Sequence, residues 1–388
     1  MAPRPILFMI QHLDQGGTEH HFHDVVTGLD RDRFEPHVIH FTGGMVADKL
    51  RRWPGLPVTR LRVGRAYGPS GLVAAGAVRR YLRRHRVQAL VTFHFVADFI
   101  GAIAGAGRVP VISSRRDMGF TRTRRQRQLG RWLDRGVTRY IAVAEAVRQA
   151  VCRDEGVDPE KIEVIYNGID LPDFDRRRRR WDRTVERRRE GIEPGEVLIG
   201  CVSNFNPVKG HLRLLEAFAG LQRRCPGQPI RLMLTGDGPM RDRIEERIDA
   251  LGIARAVIRT GLSEDITREY EMADVAVLPS DTEGFSNSIL QAMACGRAMV
   301  ACRVGGNAEA IEHARTGLLT PAGDAEAMSA ALERLIADAS LRRRMGLAAR
   351  QRLEQRFTHR HMLEQIEALI ERVIERRFGR SRGRDVPQ

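Results

Sequence analysis

The stretch Asp281-Thr282-Glu283-Gly284-Phe285-Ser286-Asn287-Ser288 sets one carboxylate just ahead of a run of small hydroxyl and amide side chains. A carboxylate such as Glu283 can accept hydrogen bonds from several hydroxyl groups at once. If Phe285, Ser286, Asn287 and Ser288 open a helix, their backbone N–H groups form a place where an anion is favoured. An acid that grips hydroxyls beside a helix start that grips phosphate suits a sugar diphosphate. Gln291, eight residues past Glu283, can still face such a ligand. A second loop, Ser203-Asn204-Phe205-Asn206-Pro207-Val208-Lys209-Gly210-His211, carries Lys209, a compact cation able to neutralise a diphosphate. The chain has only Lys49, Lys161 and Lys209 among 64 basic residues, so bulk arginine says little about a ligand, whereas a lysine in this loop is notable.

These side chains need strands to carry them. Val275–Leu278 is an apolar run that reads as a buried strand ahead of Glu283. After it Ile289, Leu290, Met293 and Ala294 recur at helical spacing, Ser286 or Asn287 can cap the helix, and Gly296 can stop it. Glu196–Val202 is the strand ahead of Lys209. Ile230–Leu234 ends in Thr235-Gly236-Asp237-Gly238-Pro239, and Val257–Arg259 leads to Gly261-Leu262, where backbone groups could meet a base. Val300–Cys302 ends in Arg303-Val304-Gly305-Gly306-Asn307-Ala308-Glu309.

The first half repeats the design. Pro5–Ile10 is a strand leading through Gly16-Gly17 into an amphipathic helix, a phosphate-friendly geometry that many α/β connections share. His20, His21 and His23 on that helix read as a solvated face rather than a metal site. Strands at His37–Phe41, Val58–Val63, Ala89–Phe93, Val109–Ser113, Tyr140–Val143 and from Ile162, with a helix at Ser70–His85, complete the alternation expected of a doubly wound parallel sheet. Ligands of such sheets sit beyond the carboxyl ends of the strands. There His94 reads as either a satisfied half-buried imidazole or a sugar contact. Arg115-Arg116-Asp117 closes the next strand as a polar loop, with Arg116 either solvated or phosphate-binding.

With 388 residues the chain is too long for one ordinary core, and two α/β domains follow. Five cysteines without a CxxC pair point to free thiols in a reducing compartment. The first apolar run is too short for a signal peptide, and no clean span approaches ~20 residues. From Arg115 to Arg139 nine arginines face Asp117 and Asp134, a net +7, which suits anionic lipid headgroups. Nucleic-acid binding is not expected, because aromatic interleaving is sparse. The implied layout is a first domain over 1–172, a charged linker over 173–195, a second domain over 196–356, a helix over 357–378 and a basic tail over 379–388.

Taken in order, Gly16-Gly17-Thr18-Glu19, Asn206-Pro207-Val208-Lys209-Gly210, Gly236-Asp237-Gly238-Pro239, Glu283-Gly284-Phe285-Ser286-Asn287 and Gly305-Gly306-Asn307-Ala308-Glu309 resemble the retaining GT-B glycosyltransferases of family 4. The resemblance covers essentially the whole chain. It implies two Rossmann-like, doubly wound parallel-sheet domains facing a cleft, a final helix that crosses back onto the N-terminal domain, and catalysis without a metal or cofactor. Carried over, it gives roles to Glu283 and Lys209, and with Arg116 and His94 at the strand ends of the first domain these make the expected catalytic set. Gly16, Gly17, Asn204, Lys209, Gly236, Leu262, Glu283, Phe285, Ser286, Asn287 and Gln291 then hold a UDP- or GDP-sugar. Three positions depart from the family: Gln291 stands for its second glutamate, Asn204 for a frequent arginine, and Arg116 for a frequent histidine.

The resulting expectation is a metal-independent hexosyl- or glycosyltransferase, cytoplasmic and peripheral on the inner membrane face. It would move a sugar to a lipid-linked or saccharide acceptor in cell-surface polysaccharide or glycoconjugate synthesis. Alternatives are a nucleotide-sugar epimerase of the same architecture and a non-enzymatic basic membrane or nucleic-acid adaptor. A Rossmann oxidoreductase is disfavoured, since no GxGxxG follows a strand.

Overall fold

The computed structural model describes residues 2–14, 16–64, 67–119 and 123–379, the side chains of 124, 125 and 127 excepted. Apart from Gly379, the tail 379–388 lies outside the described residues, as do Gln15 of the Gly-Gly loop and Arg65 and Ala66 of the loop before the helix Pro69–Arg84.

The chain forms two compact units. One is Met1–Tyr166 joined by the C-terminal segment from Met362; the other is Asn167–His361. In the first, strands β1 (Arg4–Ile10), β2 (Phe34–His40), β3 (Val58–Arg60), β4 (Ala89–Phe93), β5 (Val111–Arg115), β6 (Arg139–Ala142) and β7 (Ile162–Val164) pair in the order β3-β2-β1-β4-β5-β6-β7. In the second, β8 (Val197–Val202), β9 (Ile230–Thr235), β10 (Val257–Gly261), β11 (Val275–Leu278), β12 (Ala298–Cys302) and β13 (Leu318–Thr320) pair in the order β10-β9-β8-β11-β12-β13. All pairings between these strands are parallel. Helices on both faces of a parallel sheet demand strands that are apolar throughout. Ile6–Ile10 and Val275–Leu278 meet that demand, all being buried.

In each sheet the strand order turns around one crevice, between β1 and β4 in the first unit and between β8 and β11 in the second. Loops leaving the carboxyl ends of those strands converge there, which is where doubly wound sheets hold ligands. The residues singled out by type fall on these loops: His94 follows β4, Lys209 follows β8 and Glu283 follows β11, while His12 follows β1.

Three expectations are corrected. Arg115 is not in a polar loop. It is the last residue of β5, 4% exposed, and its guanidinium lies between Asp98 and Glu155. Asp98 also accepts from Thr92 Oγ1 at 2.6 Å and Ser113 Oγ at 2.7 Å. Burial pulls the Arg115 pKa down, but the two carboxylates outweigh it and hold the guanidinium charged. The stretch 173–195 is not an open linker: it contains most of the helix Leu171–Arg178 and all of Arg183–Arg189. Its arginines are used within the second unit, Arg183 and Arg187 binding Asp274 at 2.6 and 2.9 Å. Finally, the histidines of the first helix do not share a solvated face, since His21 is buried while His20 is exposed.

The helix His359–Phe378 belongs with the first unit beyond its first turn. Met362, Ile366, Leu369, Ile370, Val373 and Ile374 join the core formed by β1, β2 and the first helix. Arg33 reaches Glu367 at 2.7 Å, and Glu163 pairs with Arg372 at 2.6 Å.

Candidate active site

In the second unit the loop after β8 is folded so that Lys209 meets Glu283. Pro207–Lys209 makes one tight turn, and Gly210 follows at φ +69°, where a Cβ would lie 2.1 Å from the carbonyl oxygen of Pro279. Only glycine allows that approach. Asp281 N–H donates to the Val208 carbonyl at 2.8 Å, tying the two loops together. As a result Lys209 Nζ donates to Glu283 Oε1 at 2.6 Å, and Ser280 Oγ donates to the same oxygen at 2.6 Å. Glu283 is nearly buried, and the Lys209 ammonium is mostly covered. An ammonium has three donors, so two remain to Lys209 for phosphate oxygens after Glu283 is served.

The helix Asn287–Ala294 begins four residues past Glu283, and its cap residue, Ser286, makes no side-chain hydrogen bond to the helix start. Its first N–H groups are therefore not satisfied by a side-chain cap, the condition under which a helix start takes an anion. The loop is held from three sides. Ser288 Oγ donates to the Val202 carbonyl at 2.9 Å. Gly306 N–H donates to the Gly284 carbonyl at 2.9 Å, while a Cβ on Gly305 would fall 1.7 Å from the Glu283 carbonyl oxygen. Asn167 Nδ2 donates to the Phe285 carbonyl at 3.2 Å and to Asn287 Oδ1 at 2.8 Å. Phe285, Ser286 and Asn287 are thus locked rather than loose. Gln291 lies in the second turn of the helix and is half-buried.

The remaining donor candidates border the same sheet end. Gly236, at φ +142°, sits where a Cβ would be 2.1 Å from the Ser203 carbonyl oxygen, and its N–H donates to the Gly261 carbonyl at 2.8 Å. Leu262, next along, is 65% exposed and offers an apolar face beside these backbone groups. Asn204 is exposed. His211 is buried, its Nε2 3.1 Å from Ser203 Oγ, and burial together with the charge of Lys209 drives its pKa down to about 4.

In the first unit the carboxyl ends of β1 and β4 bring together residues that sequence reading left apart. His12 Nδ1 lies 2.8 Å from Glu19 Oε1, and His94 Nε2 lies 3.7 Å from the same oxygen. The two imidazoles stack with centroids 4.4 Å apart. His94 holds φ +68°, rare for a residue with a side chain and a mark of local strain. The hydrogen bond to Glu19 raises the His12 pKa. Burial and the neighbouring His12 charge drive His94 down to about 4. Burial pushes Glu19 up, yet His12 and His94 outweigh it, so its carboxylate is held below the usual range. Arg116 is half-buried within the field of Glu19 and Asp117. Gly16 precedes the first helix, and a Cβ there would meet Glu19 Oε2 at 2.2 Å; Gly17 is the helix's first residue.

His12, Glu19 and His94 are also the described residues that could offer a cation two imidazole nitrogens and a carboxylate oxygen, all within 4.8 Å of one another. Of the three, His12 Nδ1 and Glu19 Oε1 already share a hydrogen bond at 2.8 Å, while His94 Nε2 stands 3.7 Å from the same oxygen.

Sequence reading assigned no role to His12, Glu19, Ser280 or Asn167. The available signals were slight: Glu19 stands two residues past Gly17 in the first turn of its helix, and Asn167 directly precedes Gly168.

Known proteins resemble this chain over most of its length. The model of Glycosyltransferase Family 4 matches residues 15–172, and that of Glycosyl transferases group 1 matches residues 182–352. The chain is 26% identical over 350 residues to N-acetyl-alpha-D-glucosaminyl L-malate synthase of Bacillus anthracis, covering 87% of this chain and 90% of that protein. It is 31% identical over 333 residues to D-inositol 3-phosphate glycosyltransferase of Nocardia farcinica, covering 83% of this chain and 68% of that one. Among solved structures, Anabaena Alr3699/HepE in complex with UDP-glucose superposes with a TM-score of 0.82 at 25% identity, covering 95% of this chain and 99% of that chain. With two parallel-sheet units of seven and six strands and these relatives, the chain belongs to the GT-B glycosyltransferases, group 1, family 4.

Proposed function

We propose that this glycosyltransferase takes its sugar from a UDP- or GDP-sugar without a metal ion and transfers it with retention of anomeric configuration. The observation that carries the donor reading is the Lys209–Glu283 contact at 2.6 Å beside a helix start without a side-chain cap. The Anabaena relative was solved in complex with UDP-glucose, which supports the same donor class. In this reading Glu283 holds sugar hydroxyls. The bond from the anomeric carbon to the phosphate oxygen breaks, and its electron pair passes to the diphosphate. Lys209 and the N–H groups of Ser286 to Ser288 stabilise that charge, and an acceptor hydroxyl closes on the same face while its proton goes to the leaving phosphate. One well-placed donor of this kind is worth roughly 2.7–4 kcal/mol.

For the acceptor we propose a lipid-linked or other saccharide at the inner membrane face. Among the described residues no helix is long and apolar enough to cross a membrane. What supports surface attachment is a set of exposed apolar side chains on the first unit: Leu72 and Val73 of the helix Pro69–Arg84, and Trp132 of the arginine-rich helix Arg124–Leu133. Gln126 of the latter donates to the Tyr67 hydroxyl at 3.3 Å, two residues ahead of the former. A second reading, a small anionic polyol or hydroxy acid as acceptor, draws on the names of the Bacillus and Nocardia relatives and on His12 and Arg116 at the sheet end.

Thermal-shift screening against UDP, GDP, ADP and their sugars tests the donor, because a ligand that binds only the folded state raises the melting temperature. Transfer followed by NMR then reads the anomeric outcome, with EDTA expected to change nothing. No nucleotide shift at all would reject the transferase chemistry proposed for this site. Sedimentation with anionic against zwitterionic vesicles separates the two acceptor readings.

A further inference from the structure

We propose that Asn167, at the point where the chain passes from the first unit to the second, is a positioning residue of the donor loop. Through it, nucleotide-sugar binding is felt at both crossover segments. The inference rests on the donor reading above and goes beyond it, since it assigns a role to residues outside the motifs.

Asn167 is 4% exposed, and its amide nitrogen spends a hydrogen on each of two partners in the donor loop, the Phe285 carbonyl and Asn287 Oδ1. A buried amide with this arrangement fixes both the backbone direction at Phe285 and the side-chain rotamer of Asn287. The loop's exit is fixed as well. Phe285 packs on Phe357, ring centroids 5.3 Å apart at 57°. Phe357 belongs to the second crossover, which pairs with the first: Ile169 N–H donates to the Phe357 carbonyl at 3.0 Å, and His359 N–H donates to the Ile169 carbonyl at 2.9 Å. Gly168 lets the two strands approach, since a Cβ there would lie 2.3 Å from the Thr358 carbonyl oxygen. Crossover, Asn167 and donor loop therefore form one hydrogen-bonded assembly within the second unit.

The role differs from ordinary packing in what it predicts. If Asn167 presets the loop for the donor, its loss should fall on donor binding. Asn167→Ala is expected to raise the donor KM about tenfold, the effect of losing oriented hydrogen bonds to a site. kcat at saturating donor should stay within about threefold. Asn167→Asp, which keeps the shape but sets an acceptor against the Phe285 carbonyl, should be at least as impaired. In an Asn287→Ala background, Asn167→Ala should cost less than it does alone, because one of its two partners is already gone. Hydrogen exchange gives the second readout: nucleotide should slow exchange at the Ile169 and His359 amides in the wild type and not in Asn167→Ala.

Equal donor KM in wild type and both folded variants would overturn the proposal. So would additive effects in the double variant, or nucleotide that protects the crossover amides equally without Asn167. A wild type that binds no nucleotide would instead overturn the donor reading, and the two failures are thereby distinguished.

Discussion

Lys209 and Glu283, 74 positions apart in sequence, share a hydrogen-bonded ion pair at 2.6 Å, with Ser280 donating to the same carboxylate oxygen. The pair means that neither residue is idle before a ligand arrives. Each fixes the other's position, and in the donor reading proposed above the ammonium would meet the diphosphate and the carboxylate the sugar hydroxyls.

Lys209→Ala should cut turnover by about 10²–10³, the scale of removing one charge-stabilising donor. Ser280 still serves Glu283 in that variant, so the far-UV spectrum and cooperative unfolding should persist. Wild-type-like turnover in the folded variant would remove Lys209 from the chemistry.

Glu283→Gln keeps an acceptor for Ser280 but withdraws the charge that faces Lys209. A rise in donor KM together with a fall in kcat is expected, measured by steady-state kinetics over donor concentration. Unchanged values for both would dissociate Glu283 from the sugar.

Stability should fall as the solution is acidified from pH 6.5 towards 4. His94 and His211 are both held down to about 4 against an ordinary 6.5. In that window the unfolded chain binds protons that the folded chain refuses, so folding loses free energy as pH drops, roughly 3 kcal/mol per histidine at the lower end. His12 acts in the opposite sense. Glu19 raises it, so its contribution is full below 6.5 and fades as pH rises through its folded value. Urea titrations at several pH values check the slope, and His211→Gln should flatten it.

Arg115→Met should destabilise the first unit by about 3–5 kcal/mol, because it leaves the buried Asp98 carboxylate without the cation it pairs with and takes one donor from Glu155. Calorimetry of the variant reads this directly.

Gly305→Ala should weaken both fold and donor affinity. The position has φ +46°, and the added carbon would overlap the Glu283 carbonyl. The cost exceeds about 1 kcal/mol, and nucleotide-dependent thermal shift should shrink with it.

The parallel sheets were legible because buried strand segments such as Ile6–Ile10 and Val275–Leu278 are apolar without interruption, and because glycines stand in the loops that follow them. Charge was a poorer guide. Arg115 extended a strand that its polarity concealed, since the acids that neutralise it lie 17 positions upstream and 40 downstream. The arginines after residue 173 read as a charged linker for the same reason: Arg183 finds its partner Asp274 91 residues on. Glu283 and Lys209 could be found from type and loop position. The contact of His12 with His94 and that of Asn167 with Phe285 depend on which strands become neighbours, and no local pattern encodes that.

The pairing of Ile169 with Phe357 and His359 has a practical corollary for anyone dissecting the molecule. Severing the chain at residue 195 would strip the second unit of the helices Leu171–Arg178 and Arg183–Arg189 and of the Asn167 tether on the loop that carries Phe285. A cut that respects the packing falls just before Asn167 and just after His361, and the last helix then goes with the amino-terminal half, whose core it completes.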